Sequence, residues 1–277
     1  MKTILLSLAF LSLTYLVFAQ KKKGFTIMPS QANEAKGKGN VNLADSIAQD
    51  YINNYLFKLK VAELMSKDNL SFIREYIKID SKGFKLFRTQ SEKVNAVLGD
   101  YAAQYGIRVA IYKAFMPKGD VNMRKNFDWK SLEKTITEKY GAVGQEEVYG
   151  NAMLTYLQAE DWVNFGKYYV LYFEKALKHP AYHVNNLSWP LFEHVKDPRI
   201  LLFACEVMKY AIEELTYKDH QALDTYANLL YKTGKKDQAI EWEEKAMKLS
   251  NNDKGIVETL EKMRNNLRTW PDTAAKQ

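Results

Sequence analysis

From Leu43 onward the apolar residues recur at helical spacing. Leu43, Ile47, Tyr51, Tyr55 and Leu59 return every fourth residue, with Ala44, Ala48, Ile52 and Leu56 as a second row. This predicts an amphipathic helix capped by Asn42 and running to about Met65. Asp68 is placed to cap a helix through Ile79, and Ser81 another through about Thr89. Ser91–Phe115 reads as a third long helix with Gly106 as its kink point, ended by Met116-Pro117 because proline disfavours helical geometry in the residue before it. Beyond the polar stretch Pro117–Phe127, Asp128 caps Trp129–Tyr140 and Gly141 ends that helix.

From Gln145 the pattern becomes periodic. Ala176, Ala211 and Ala246 stand 35 residues apart, as do Tyr169, Ala204 and Ala239, and Leu157, Phe192 and Ala227. Such a period is the mark of helix pairs, none of which buries its apolar face alone. Three pairs are predicted: about Gln145–Leu177, Ser188–Leu215 and Gln221–Leu249. Asp161 and Asp197 cap second helices, Pro190 and Pro198 fall in first turns, and Asp253–Leu267 is a closing helix.

The stretch Asp224–Asp253 resembles a tetratricopeptide repeat. Ala227, Gly234, Ala239 and Ala246 stand where that family has its small closing residue, its turn glycine and its two close-packing alanines. The resemblance implies an all-α fold, a tetratricopeptide-like α-solenoid preceded by an α-helical subdomain. A wider resemblance, over about Asn69–Leu249, is to the helical C-terminal extension of exported thioredoxin-fold proteins. No Cys-x-x-Cys is present and about Gln20–Leu43 is too short for a thioredoxin domain, so redox chemistry is not carried over. The expected organisation is a signal peptide over 1–19, a flexible arm over 20–40, a helical subdomain over 41–116, a linker over 117–127, helical repeats over 128–270 and a tail over 271–277.

Composition sharpens this picture at a few points. The 277 residues are 47% hydrophobic with only 6 prolines and 13 glycines, enough to build a sizeable core and sparing in helix breakers. Residues 1–19 carry one charge, Lys2, and an apolar run to Phe18, so export with cleavage after Val17-Phe18-Ala19, before Gln20, is expected. No membrane span is expected after that cleavage. Removing Lys2 from the 40 basic residues leaves 39 against 33 acidic ones, a charge of +6. The signs alternate finely along the helices, which argues for a solvated surface and against a nucleic-acid partner. Cys205 is the only cysteine, so no intramolecular disulfide forms.

Candidate chemistry is thin. The period equates Cys205 with Val170 and Ile240, so it reads as a buried thiol. His179 and His183 flank a proline and lack a third ligand, and no metal or other cofactor is expected. Glu146-Glu147, Glu213-Glu214 and Glu243-Glu244 are adjacent residues that diverge on a helix, so no acid/base pair is implied. The stripe of Trp162, Phe165, Tyr168, Tyr169, Tyr172 and Phe173 reads as core, and Gly37-Lys38-Gly39 has no phosphate-loop context.

The inner face of the first helices remains. In the resembling family it lines a concave groove, which would here comprise Asn186, Trp189, Glu193, Gln221, Asp224, Asn228 and Tyr231. Asn228 coincides with an asparagine that carboxylate-clamp repeats use on a peptide backbone, whereas Asp224 stands where such clamps carry lysine. The expectation is a non-enzymatic, periplasmic or extracellular scaffold that binds a protein or peptide, with Trp189 and Tyr231 as anchors. A helical accessory subunit of a separate thioredoxin-like protein is the alternative, and a glycan-binding surface protein a third.

Overall fold

A computed structural model describes residue 25 and residues 27–271. The expected signal peptide, its cleavage point before Gln20 and residues 272–277 of the tail lie outside the described residues. Every regular element among those described is helical. The chain divides into two compact units, 1–115 and 116–277.

The first unit opens with a helix over 27–37, α1, where the sequence reading expected a flexible arm. Its buried face is made only of small residues, Ala32 and Ala35, which is why the apolar pattern is faint. Lys36 pairs with Glu75 at 2.6 Å and the Tyr76 hydroxyl donates to Asn33 Oδ1 at 2.9 Å, tying α1 down. The next helix, α2 (Val41–Asn54), is capped by Asn40 rather than Asn42, with the Asn40 side chain accepting from the Leu43 amide. It stops eleven residues short of Met65. A 3-10 turn at Leu56–Lys58 swings Leu56 into the core, and the buried row is Ala44, Ala48 and Ile52, while Leu43 is exposed.

The short α3 (Val61–Leu64) leads to α4 (Lys67–Glu75), capped by Ser66 in place of Asp68. Helix α5 (Lys82–Thr89) begins at the Ser81 cap. The single helix expected over Ser91–Phe115 is two, α6 (Ser91–Leu98) and α7 (Ala102–Phe115). Gly99 and Tyr101 both take positive φ, 100° and 65°, which no helix accommodates, and the Asn95 side chain accepts from the Ala103 amide to cap the new start. Gly106 lies within α7 and serves packing: a Cβ there would stand 2.9 Å from the Phe87 ring.

In the second unit, α8 (Val121–Lys125) forms inside the stretch expected to be a linker, capped by Asp120. Helix α9 (Trp129–Tyr140) has its Asp128 cap and ends at Gly141, φ 70°. There follow α10 (Ala142–Gln158), α11 (Trp162–Ala176), α12 (Val184–His194), α13 (Pro198–Glu213), α14 (His220–Lys232), α15 (Lys236–Leu249) and α16 (Lys254–Arg264). Helices α10 and α11, α12 and α13, and α14 and α15 pack in succession, with α12 also against α14, and α16 closing on α15. Asp161, Asp197, Asp219 and Asp253 each accept a backbone amide at a helix start.

Helix α12 starts four residues before Ser188, which puts Pro190 in its interior rather than its first turn. Tyr169, Phe173, Ala176, Ala204, Ala211, Ala239 and Ala246 are all buried, and Tyr169 with Tyr172, Phe165 and Phe192 are among the largest fully buried side chains.

Candidate functional site

Helices α12 and α14 lie side by side, and an open pocket of about 440 Å³ forms between them, lined by Asn185, Asn186, Trp189, Pro190, Gln221, Asp224 and Thr225. Trp189 on α12 and Asp224 on α14 stand 35 residues apart in the chain. The packing of α12 against α14 brings both residues to one cavity. The Trp189 ring leans on Phe192 at 5.2 Å and is only half-buried. Pro190 has no N–H to give to the Asn186 carbonyl one turn back, so that acceptor is left without its helical donor beside the pocket.

Of the seven residues expected in the groove, Asn186, Trp189, Gln221 and Asp224 line this pocket. The other three are placed differently. Asn228 is buried, and its amide is committed one turn back, to the Asp224 carbonyl at 3.0 Å and to Asp224 Oδ1 at 2.8 Å. It orients Asp224 and has no free donor for a peptide backbone. Glu193 sits a turn beyond the pocket, its carboxylate 3.8 Å from His194. The Tyr231 hydroxyl donates to the Leu267 carbonyl at 3.0 Å, and Trp270 meets both Tyr231 and Phe192 edge to face. The chain's own C-terminal segment thus covers the anchor expected at Tyr231.

Lys232 holds that corner together. Its ammonium donates to the carbonyls of Phe192 and, at 3.0 Å, of Val195, at the end of α12, and stands 5.4 Å from the rings of Phe192 and Trp270. Burial, more than its cationic neighbours Arg268 and Lys196, lowers its pKa to about 8.

The sequence reading missed Asn185, Pro190 and Thr225 in the lining and, behind it, Glu243. Glu243 on α15 is fully buried, and neither of its carboxyl oxygens accepts a hydrogen bond from a backbone or side-chain N–H group. It meets the Asp224 carboxyl across the α14–α15 contact. Burial, and then the mutual repulsion of the two groups, push Glu243 far above the ordinary carboxylate range. Burial also raises Asp224, less far, because it receives hydrogen bonds from Glu243 and Asn228. Two neighbouring carboxyls in such surroundings favour the form in which the pair carries a proton.

The adjacent pair read from sequence, Glu243-Glu244, is therefore split: Glu244 reaches outward to Arg264 at 2.7 Å. A signal for Glu243 was present. It stands between Ala239 and Ala246 on the buried stripe of α15, and the 35-residue period equates it with Met208 and Phe173, both buried.

Cys205 is buried, with Sγ 3.7 Å from the Thr233 hydroxyl, and burial raises its pKa above the usual thiol value. A thiolate-selective disulfide reagent should leave the native chain unmodified at neutral pH and modify it rapidly in denaturant. Stoichiometric labelling of the folded protein would overturn this assignment. His183 stacks on Tyr217 at 4.5 Å, and no group of three or more potential metal ligands occurs among the described residues. No described helix is long and apolar enough to cross a membrane.

The chain matches no protein-family model, no curated protein and no solved structure.

Proposed function

We propose that this chain is an exported, non-enzymatic scaffold of tetratricopeptide-like helix pairs that binds a protein or peptide along the α12–α14 face. The observation that carries the reading is the pocket: four residues that the resemblance to tetratricopeptide repeats places in the groove line one cavity, Asn186 and Trp189 from α12 and Gln221 and Asp224 from α14. The succession of packed pairs α10–α11, α12–α13 and α14–α15 supports the stacked arrangement. The apolar leader over residues 1–19 supports export. A half-buried tryptophan beside polar groups is the kind of residue that anchors an interface.

Affinity capture from an envelope extract tests this. Trp189→Ala should weaken retention of the partner by about 2 kcal/mol, roughly thirtyfold, while Val163→Ser, on a side chain 82% exposed on α11, should leave it unchanged. Thermal melts establish that both variants fold. Equal capture by the folded wild type and Trp189→Ala would remove the pocket from the binding surface.

A further inference from the structure

The pocket presents acceptors and an aromatic face. Its lining includes Asp224, Trp189 and Asn186, whose carbonyl receives no N–H from Pro190, and it includes no lysine, arginine or histidine. Directly behind Asp224 lies Glu243, wholly buried with both oxygens undonated. A second carboxyl in that position costs stability unless a proton or a cation sits with the pair. Nothing about packing requires it, since Met208 and Phe173 fill the equivalent places with apolar atoms.

We propose that the pocket receives an arginine side chain of the partner, its guanidinium held by Asp224 and stacked against Trp189. The inference rests on the groove reading above and names the chemistry the groove selects. A guanidinium fits better than a compact ammonium because its planar fork bonds a carboxylate through two N–H groups and its face stacks on an indole. It also fits better than a metal ion, since no third acidic or imidazole ligand joins Asp224 and Glu243 in a metal-sized cluster among the described residues. The volume, about 440 Å³, lies within the range of roughly 300–1,000 Å³ typical of ligand pockets, room for a side chain with its flanking backbone.

Entry of the cation makes the shared proton unnecessary, so binding expels it to solvent and strengthens as pH rises. The titratable groups facing Asp224 are Glu243 from α15, Asp253 at the start of α16 and His220 one turn back on α14; the α12 residues of the lining carry none.

The probe is a phage-displayed random heptapeptide library selected on the full chain in the presence of EDTA, with Trp189→Ala as counter-selection. The enriched peptides are expected to carry arginine at one position. Replacing that arginine by citrulline, which keeps the shape and removes the charge, should weaken binding at least tenfold. Asp224→Asn should weaken the arginine peptide by a similar factor and leave the citrulline peptide unchanged. Calorimetry in two buffers of different ionisation enthalpy should show proton release, absent in Glu243→Gln, a variant that keeps the Asp224 charge; thermal melts confirm that both variants fold. Trp189-dependent peptides that lack a basic residue, or that bind equally well with citrulline, would overturn the inference and leave the groove reading intact. Enrichment of no peptide would overturn both, and so would binding indifferent to Trp189. Binding that appears only when calcium replaces EDTA would place a metal at the carboxylates and overturn the guanidinium assignment.

Discussion

Replacing Tyr169 by alanine is expected to lower the unfolding free energy by about 3–5 kcal/mol, because a fully buried aromatic ring leaves a cavity that its neighbours fill only in part. The ring packs against Phe165 and Phe173 within α11 and against Phe203 of α13, so three ring contacts are lost at once. Tyr169→Phe is expected to cost only about 1 kcal/mol. Its hydroxyl lies 2.7 Å from that of Ser188, which keeps a second bond to the Val184 carbonyl at 2.9 Å and is not orphaned. Urea denaturation of the three proteins measures both differences. A Tyr169→Ala loss below about 1 kcal/mol would mean that the ring is not core.

The second large effect is on pH. Glu243 in the folded chain holds its proton far above the value of an unfolded glutamate, and Asp224 is raised in the same direction. A group whose folded pKa is raised contributes stability that is complete below its unfolded pKa and is lost as pH climbs towards the folded one. Between about pH 5 and 8 the folded protein therefore binds about one proton more than the unfolded chain, and stability falls by up to about 1.4 kcal/mol per pH unit. Lys232 acts with the opposite sign but in another window. Its pKa is lowered to about 8, so the cost of its buried charge is constant below that pH and is relieved only above it.

Denaturant midpoints at pH 5, 6.5 and 8 should thus decline for the wild type. Glu243→Gln, which carries no proton to lose, should flatten most of the slope and be the more stable protein at pH 8. A wild-type slope that Glu243→Gln leaves unaltered would show that this pair does not hold the proton. The same experiment bears on binding, because an arginine peptide that neutralises the pair should stabilise the wild type more at pH 8 than at pH 5.

Much of the second unit was legible in the chain. Helices announce themselves through local chemistry: Asp128, Asp161 and Asp197 cap where an aspartate precedes an apolar stripe, and Gly141 stops α9 because it takes a positive φ that other residues resist. The 35-residue spacing likewise picked out Tyr169, Ala176, Ala211 and Ala246, all of which are buried. Where the buried face is built from small residues the signal fades. Helix α1 rests on Ala32 and Ala35, and α2 turns Ala44 and Ala48 inward while the larger Leu43 stays out. Hydrophobicity of the side chain then misleads, because close approach of backbones decides the face.

The sequence by itself determined that this protein is helical, where most of its second-unit helices begin, and which positions recur in its core. Those properties come from interactions within a few residues or from a 35-residue spacing of apolar positions that can be read along the chain. Only the tertiary structure decided what the recurring positions do together. It added Asn185, Pro190 and Thr225 to the pocket lining and committed Asn228 to its own helix. It covered Tyr231 with the C-terminal segment and placed Glu243 against Asp224. Each depends on which residue of one helix faces which residue of another, a distance through space that no spacing along the chain encodes.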